Sequence, residues 1–192
     1  MDSIKRFSKL ALILVYFSIG YASFAQQSPY FQAGQDPKPE GSKWKLVKSM
    51  SDEFDGKKVN EKKWQISGQG WIGRPPGLFQ AENIKVEDGR LQITTKKLQD
   101  VITKNGKTFT HGGGYVGSYA AMKYGYYECR MKANKTFMSS TFWLINDRRN
   151  AQGCDQRTTE MDIQECFDQV TSAQALADDF DAGMNSNTHS RD

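Results

Sequence analysis

The sequence predicts an all-β protein, an antiparallel sandwich or barrel, on three observations. Short segments from Trp44 onward alternate polar with apolar residues. Gly, Asn and Asp separate them, and nothing between residues 44 and 166 sustains a 3.6-residue hydrophobic period. A composition of 38% hydrophobic and 25% charged residues over 192 positions excludes a wholly disordered or collagen-like chain. No internal repeat is visible.

The chain opens with Lys5, Arg6 and Lys9, an apolar run over residues 10–22, and small residues at Ser23 and Ala25. That layout predicts a signal peptide over residues 1–25, cut after Ala25, since the run is shorter than the ~20 residues of a spanning helix. Its removal takes three basic residues and Asp2 with it, so the net charge falls from +4 to +2. Such a balance gives no footprint for nucleic acid, and no second apolar stretch predicts a membrane span. The expected product is secreted, periplasmic or at the cell surface. Residues 26–43 are polar, hold three of the five prolines, and read as an exposed linker.

The elements follow in order. Residues 83–87 and 91–95 alternate around Asp88-Gly89, and residues 101–103 and 108–110 flank Asn105-Gly106. Both read as hairpins, because these dipeptides accept the positive φ of a tight turn. Residues 124–132 alternate Tyr127, Cys129 and Met131 with charged residues. Residues 140–145 are β-branched and aromatic, and residues 159–166 alternate acidic with apolar. Residues 167–183 read as a loop or short helix. Trp44 and Trp64 are assigned to the core, and His111, ahead of three glycines, to a flexible turn. The three cysteines leave an odd thiol, with Cys154 and Cys166 the better pair and an all-reduced, buried set the alternative.

Glu160-Met161-Asp162-Ile163-Gln164-Glu165 carries the most chemistry. On a regular strand Glu160 and Asp162 share one face while Met161 and Ile163 enter the core, and parity puts Glu165 on the wrong side. One bulge between Asp162 and Glu165 reverses that parity and aligns all three acids. Glutamates four regular positions apart have Cα atoms about 13 Å apart. Inward-leaning side chains can then approach the ~5–5.5 Å carboxyl spacing of retaining glycoside hydrolysis. One carboxylate would stay ionised as nucleophile and another hold a proton as general acid, with mutual repulsion raising at least one pKa. A solvated acidic face or a calcium site are the alternatives.

These residues resemble glycoside hydrolase family 16, whose signature is a bulged Glu-x-Asp-x-x-Glu strand. Residues 51–56 look like the family's first strand, 83–91 like its early hairpin, 124–132 like its edge-of-cleft strand, and 139–144 like the strand before the catalytic one. The resemblance covers residues 44–166 and implies a jelly-roll β-sandwich with an open substrate cleft. It makes Glu160 the nucleophile, Asp162 its electrostatic partner and Glu165 the acid/base, with no cofactor required and a structural calcium left open. Residues 71–79 and 134–144 look most like agar-degrading members. The expected activity is therefore endo-acting, retaining hydrolysis of agar-type β-galactan, a β-agarase. The alternatives are a β-porphyranase or κ-carrageenase acting on sulfated galactan, or a non-catalytic carbohydrate-binding fragment.

Substrate-binding candidates are Trp71 in a Gly-rich loop, Trp143 by strand parity against Phe142 and Leu144, Arg74, and His189. For a sulfated substrate, one of the nearby cations Arg74, Arg148, Arg149 and Arg157 is expected to point into the cleft, with Arg148 and Arg149 individually reading as surface residues. The family devotes more chain to a complete sandwich than follows Trp44. Residues 44–192 are thus expected to be a partial catalytic domain, incomplete at the C-terminal end, with open sheet edges and an exposed apolar face.

Overall fold

The structure, a computed structural model, describes residues 29–68, 70–167 and 183–191. The expected leader, most of the segment 167–183 and the start of the lead-in lie outside them. Among the described residues ten strands run in the order β1 (Trp64–Gln65), β2 (Gly77–Phe79), β3 (Ile84–Glu87), β4 (Arg90–Ile93), β5 (Lys96–Lys104), β6 (Lys107–Gly113), β7 (Gly117–Ser118), β8 (Ser140–Ile145), β9 (Thr158–Cys166) and β10 (Asn185–Arg191). The only helices among the described residues are 3-10 turns of three or four residues.

Both hairpins form at their expected turns. Glu87 pairs with Arg90 and Lys104 with Lys107. Asp88 and Gly89, like Asn105 and Gly106, all have φ between 52° and 69°. Two consecutive positive φ angles match the twist of the flanking strands, which is why Asp-Gly and Asn-Gly occupy these corners.

Four small sheets result: β1–β7, β3–β4, β2–β6–β5 and β10–β9–β8. The β2–β6 pair is parallel, a departure from the purely antiparallel expectation. His111 lies in that ladder opposite Gly77, so it belongs to a strand and not to a flexible turn. Its ring meets Phe137 edge-on at 5.0 Å.

Among the described residues the buried apolar side chains are Val59, Leu78, Val86 and Phe109, with Phe109 fully enclosed. Enclosing one such side chain stabilises the fold by about 1.5–3 kcal/mol. Met161, expected in the core, is 48% exposed, and Ile163 is half-buried. Among the described residues the extensive contacts of β9 are with β8 and β10 of its own sheet, and ladder pairing alone does not cover a side chain that stands off the sheet. Trp44 and Trp64 are also half-buried and not core. Trp44 stacks on Phe31 at 5.7 Å and donates its Nε1–H to Asp36, tying the otherwise exposed lead-in to the domain.

Two expected strands are absent. Residues 124–132 have no ladder partner among the described residues, despite their alternation. Residues 51–56 form an irregular loop because the Asp52 carboxylate accepts the Phe54 N–H at 3.0 Å and Phe54 takes φ 54°. A left-handed residue cannot continue a strand.

All three cysteines are free, Cys129 and Cys154 being exposed. Cys154 precedes β9 and Cys166 ends it, so roughly eight strand residues at about 3.3 Å each separate them, far beyond disulfide reach.

Candidate active site

β9 is the central strand of its sheet, with β8 on one side and β10 on the other. The connection from β8 is closed by Asn146. Its side chain donates to Asp155 O and Arg157 O and accepts the Thr159 N–H. A backbone laddered on both sides holds its side chains firmly, which a catalytic constellation requires.

The bulge stands where parity demands it. Across β8, Trp143 pairs with Asp162 and the adjacent Phe142 pairs with Gln164, leaving Ile163 as the extra residue. Across β10, Asn187 pairs with Asp162 and Asn185 with Glu165, so the same discontinuity is seen from the other side. The Asp162 carbonyl, next to the irregularity, accepts a hydrogen bond from Ser186 Oγ at 3.0 Å. Glu160, Asp162 and Glu165 consequently line one open cleft of about 420 Å³, together with Arg74, His189 and Arg191.

Within the cleft the acids differ. Asp162 is 4% exposed, and its Oδ2 lies 3.2 Å from His189 Nε2. Glu160 pairs with the Arg191 guanidinium. Glu165 has its pKa raised above the usual carboxylate value, first by burial, then by the charge of Asp162, with a smaller contribution from Glu160. Arg74 and His189 act in the opposite sense. One acid is thus biased toward holding a proton beside two others, the division of labour expected of a proton donor and its neighbours.

Glu160, Asp162 and His189 each offer a ligating atom, all within 4.8 Å of one another. An imidazole in the set, and a guanidinium already on Glu160, set this group apart from the all-oxygen shell that calcium takes.

Arg74 reaches the cleft from the loop between β1 and β2. Gly73, at φ 110°, packs against the Gly77 carbonyl so closely that a Cβ would collide with it, and the Gly77 N–H donates to Arg74 O at 2.8 Å. This tight turn fixes where the Arg74 side chain starts. Trp143, cross-strand partner of Asp162, shares its side of the sheet, but neither it nor Trp71 is among the residues that line the cleft around the acids. Trp71 stands edge-on to Trp143, with ring centroids 5.9 Å apart, and also meets Phe79 and Tyr115.

Arg148 and Arg149 are exposed, Arg149 pairing with Asp147 and donating to Tyr119 O; Arg157 is exposed as well. None of the three lines the cleft. Arg191, which does, was not among the expected residues. Its signal was present, because it follows His189 by two on β10 and shares its face.

Residues 44–192 match the family described as Beta-porphyranase A-D, GH16 domain. The chain belongs to glycoside hydrolase family 16. It is 60% identical over 186 residues to β-porphyranase B of Zobellia galactanivorans, an alignment covering 97% of this chain and 64% of that protein. The crystal structure of porphyranase B from the same organism superposes with a TM-score of 0.80 at 64% identity, over 85% of this chain and 61% of that one. The β-porphyranase BpGH16B of the gut bacterium Bacteroides plebeius gives 0.70 at 36% identity, over 81% and 57%. These likenesses make the fold a family 16 jelly roll. The chain spans less than two thirds of the length of these relatives.

Proposed function

We propose that this chain carries the catalytic centre of an endo-acting, retaining hydrolase of sulfated agar-type galactan, a β-porphyranase. The observation that carries the reading is the extra residue at Ile163. It puts Glu165, with its raised pKa, on the face that holds Glu160 and Asp162.

In this reading Glu160 attacks the anomeric carbon while Glu165 gives its proton to the departing glycosidic oxygen. A covalent galactosyl ester forms on Glu160. Glu165, now ionised, takes a proton from the water that attacks the same carbon, and the configuration is retained. Esterification removes the Glu160 charge, one of the influences raising the Glu165 pKa, so the acid of the first step is a better-ionised base in the second. Asp162, held by His189, stands beside the nucleophile on the same face of β9.

Sulfated galactan replaces agarose as the favoured substrate. The relatives above are β-porphyranases, and the cleft brings two guanidinium groups, Arg74 and Arg191, beside its acids. Guanidinium offers a planar bidentate fork to an oxyanion, which a neutral galactan does not supply. Trp71 and Trp143 provide aromatic surface for the sugar rings.

Reducing-end release from porphyran, agarose, κ-carrageenan and laminarin tests the proposal. Porphyran should be cleaved preferentially, and Glu160→Gln should abolish cleavage while binding persists. Preferential cleavage of agarose would restore the agarase reading. Export through residues 1–25 belongs to the same proposal. Amino-terminal sequencing of the exported protein should begin at Gln26.

A further inference from the structure

Arg191 and Glu160 meet diagonally across the β9–β10 ladder, two residues out of direct register, since Arg191 is opposite Thr158 and His189 is opposite Glu160. The pair is lopsided. The Arg191 side chain is 56% exposed and the Glu160 side chain 21%. One guanidinium nitrogen, Nη2, meets one carboxylate oxygen, and the other donors of Arg191 contact no described residue. Exposed single-point ion pairs are weak, because water competes for both partners. A two-point contact between guanidinium and an oxyanion is stronger and geometrically specific. Arg191 therefore holds the nucleophile by a contact that an anionic ligand group can outcompete.

We propose that Arg191 is a specificity-determining residue that exchanges partners, pairing with Glu160 in the free protein and with a sulfate ester of the substrate in the complex. This rests on the reading of the substrate as a sulfated galactan and adds to it. While paired, the carboxylate oxygen of Glu160 is covered by a cation. Once the sulfate draws Arg191 away, that oxygen is free to attack. A neutral galactan brings no anion and leaves the pair closed, so the site discriminates by access to its nucleophile as well as by contacts to the sugar.

The test is calorimetric binding of a sulfated porphyran tetrasaccharide and its desulfated counterpart to the 192-residue chain, with turnover blocked by Glu165→Gln or by Glu160→Gln. With Glu165→Gln, adding Arg191→Ala should weaken binding of the sulfated sugar about tenfold, the scale of a charge-assisted hydrogen bond. Binding of the desulfated sugar should not change. Arg191→Lys, which keeps the charge but loses the fork, should recover part of the loss. Glu160→Gln frees Arg191, so that variant should bind the sulfated sugar about threefold more tightly than Glu165→Gln, the scale of an exposed ion pair. The gain should vanish when Arg191→Ala is added. Equal losses on both sugars, or a gain that survives without Arg191, would overturn the exchange. Preference of the Glu165→Gln chain for the desulfated sugar, or binding of neither, would instead overturn the porphyran reading on which it rests.

Discussion

Trp143 stands directly across the β8–β9 ladder from Asp162, and the next pair inward, Phe142 with Gln164, skips Ile163. The site therefore depends on one unpaired residue. Deleting Ile163 should restore a regular strand and turn Glu165 to the apolar side. Hydrolysis should fall by about 10²–10⁴, the share of a general acid, while the β content seen by circular dichroism persists. Substituting Ile163→Ala keeps the count and should keep most of the activity. Initial rates on porphyran for the two variants separate register from side chain.

The pH profile follows from the environment of Glu165. Its pKa is raised, chiefly by burial and then by Asp162, and is pulled down by Arg74. In its proposed role as proton donor Glu165 must be protonated, so activity should be lost as pH rises through that value. Arg74→Gln removes a cation that favours the ionised form, so the pKa should rise further and the alkaline limb of kcat/KM should move to higher pH. Asp162→Asn removes a charge that disfavours ionisation, and the limb should move to lower pH. Opposite movements in the two variants identify Glu165 as the group observed.

How much of this was legible in the sequence depends on how local each determinant is. Asp88-Gly89 and Asn105-Gly106 carry their turn geometry in their own backbones, and both hairpins formed there. The bulge was readable because three acids of fixed spacing admit one face only with an extra residue. The alternation at residues 124–132 was equally clear, yet a strand needs a partner and none is supplied among the described residues. Met161 shows the same limit, since alternation sets it opposite the acids but does not decide whether anything covers it, and it is 48% exposed. Phe54 was hidden because a side chain two positions earlier overrides its strand propensity.

Trp71 is 44% exposed, and its ring meets Trp143, Phe79 and Tyr115 edge-on, outside the lining of the acid cleft. Replacing it with Ala should raise KM several-fold with little change in kcat, because a platform away from the reacting bond contributes to ground and transition states alike. Trp71→Phe should retain part of the affinity, since an aromatic contact is worth about 0.5–1.5 kcal/mol beyond buried area. Steady-state kinetics on porphyran oligosaccharides provide the check. A fall in kcat with unchanged KM would place Trp71 in the chemistry instead.

The loop at residues 51–56 gives a stability prediction independent of catalysis. Burial pushes the Asp52 carboxyl up, yet hydrogen bonds from the Phe54 N–H, Trp64 Nε1–H and the Lys63 ammonium outweigh it and leave its pKa below the ordinary 3.8. A carboxylate with a depressed folded pKa contributes stability that is present above the unfolded value and lost as pH falls through the folded one. Wild-type stability should therefore decline below about pH 4, taking the unfolded carboxyl as the upper edge of the window. Asp52→Asn keeps the shape and cannot ionise, so it should be less stable at neutral pH and lose less on acidification. Asp52→Ala leaves the indole and backbone donors unpaired and should cost about 1–3 kcal/mol at pH 7. Urea unfolding at pH 7 and pH 3 measures both. Parallel pH dependence in wild type and Asp52→Asn would show that Asp52 titrates alike in the folded and unfolded chains.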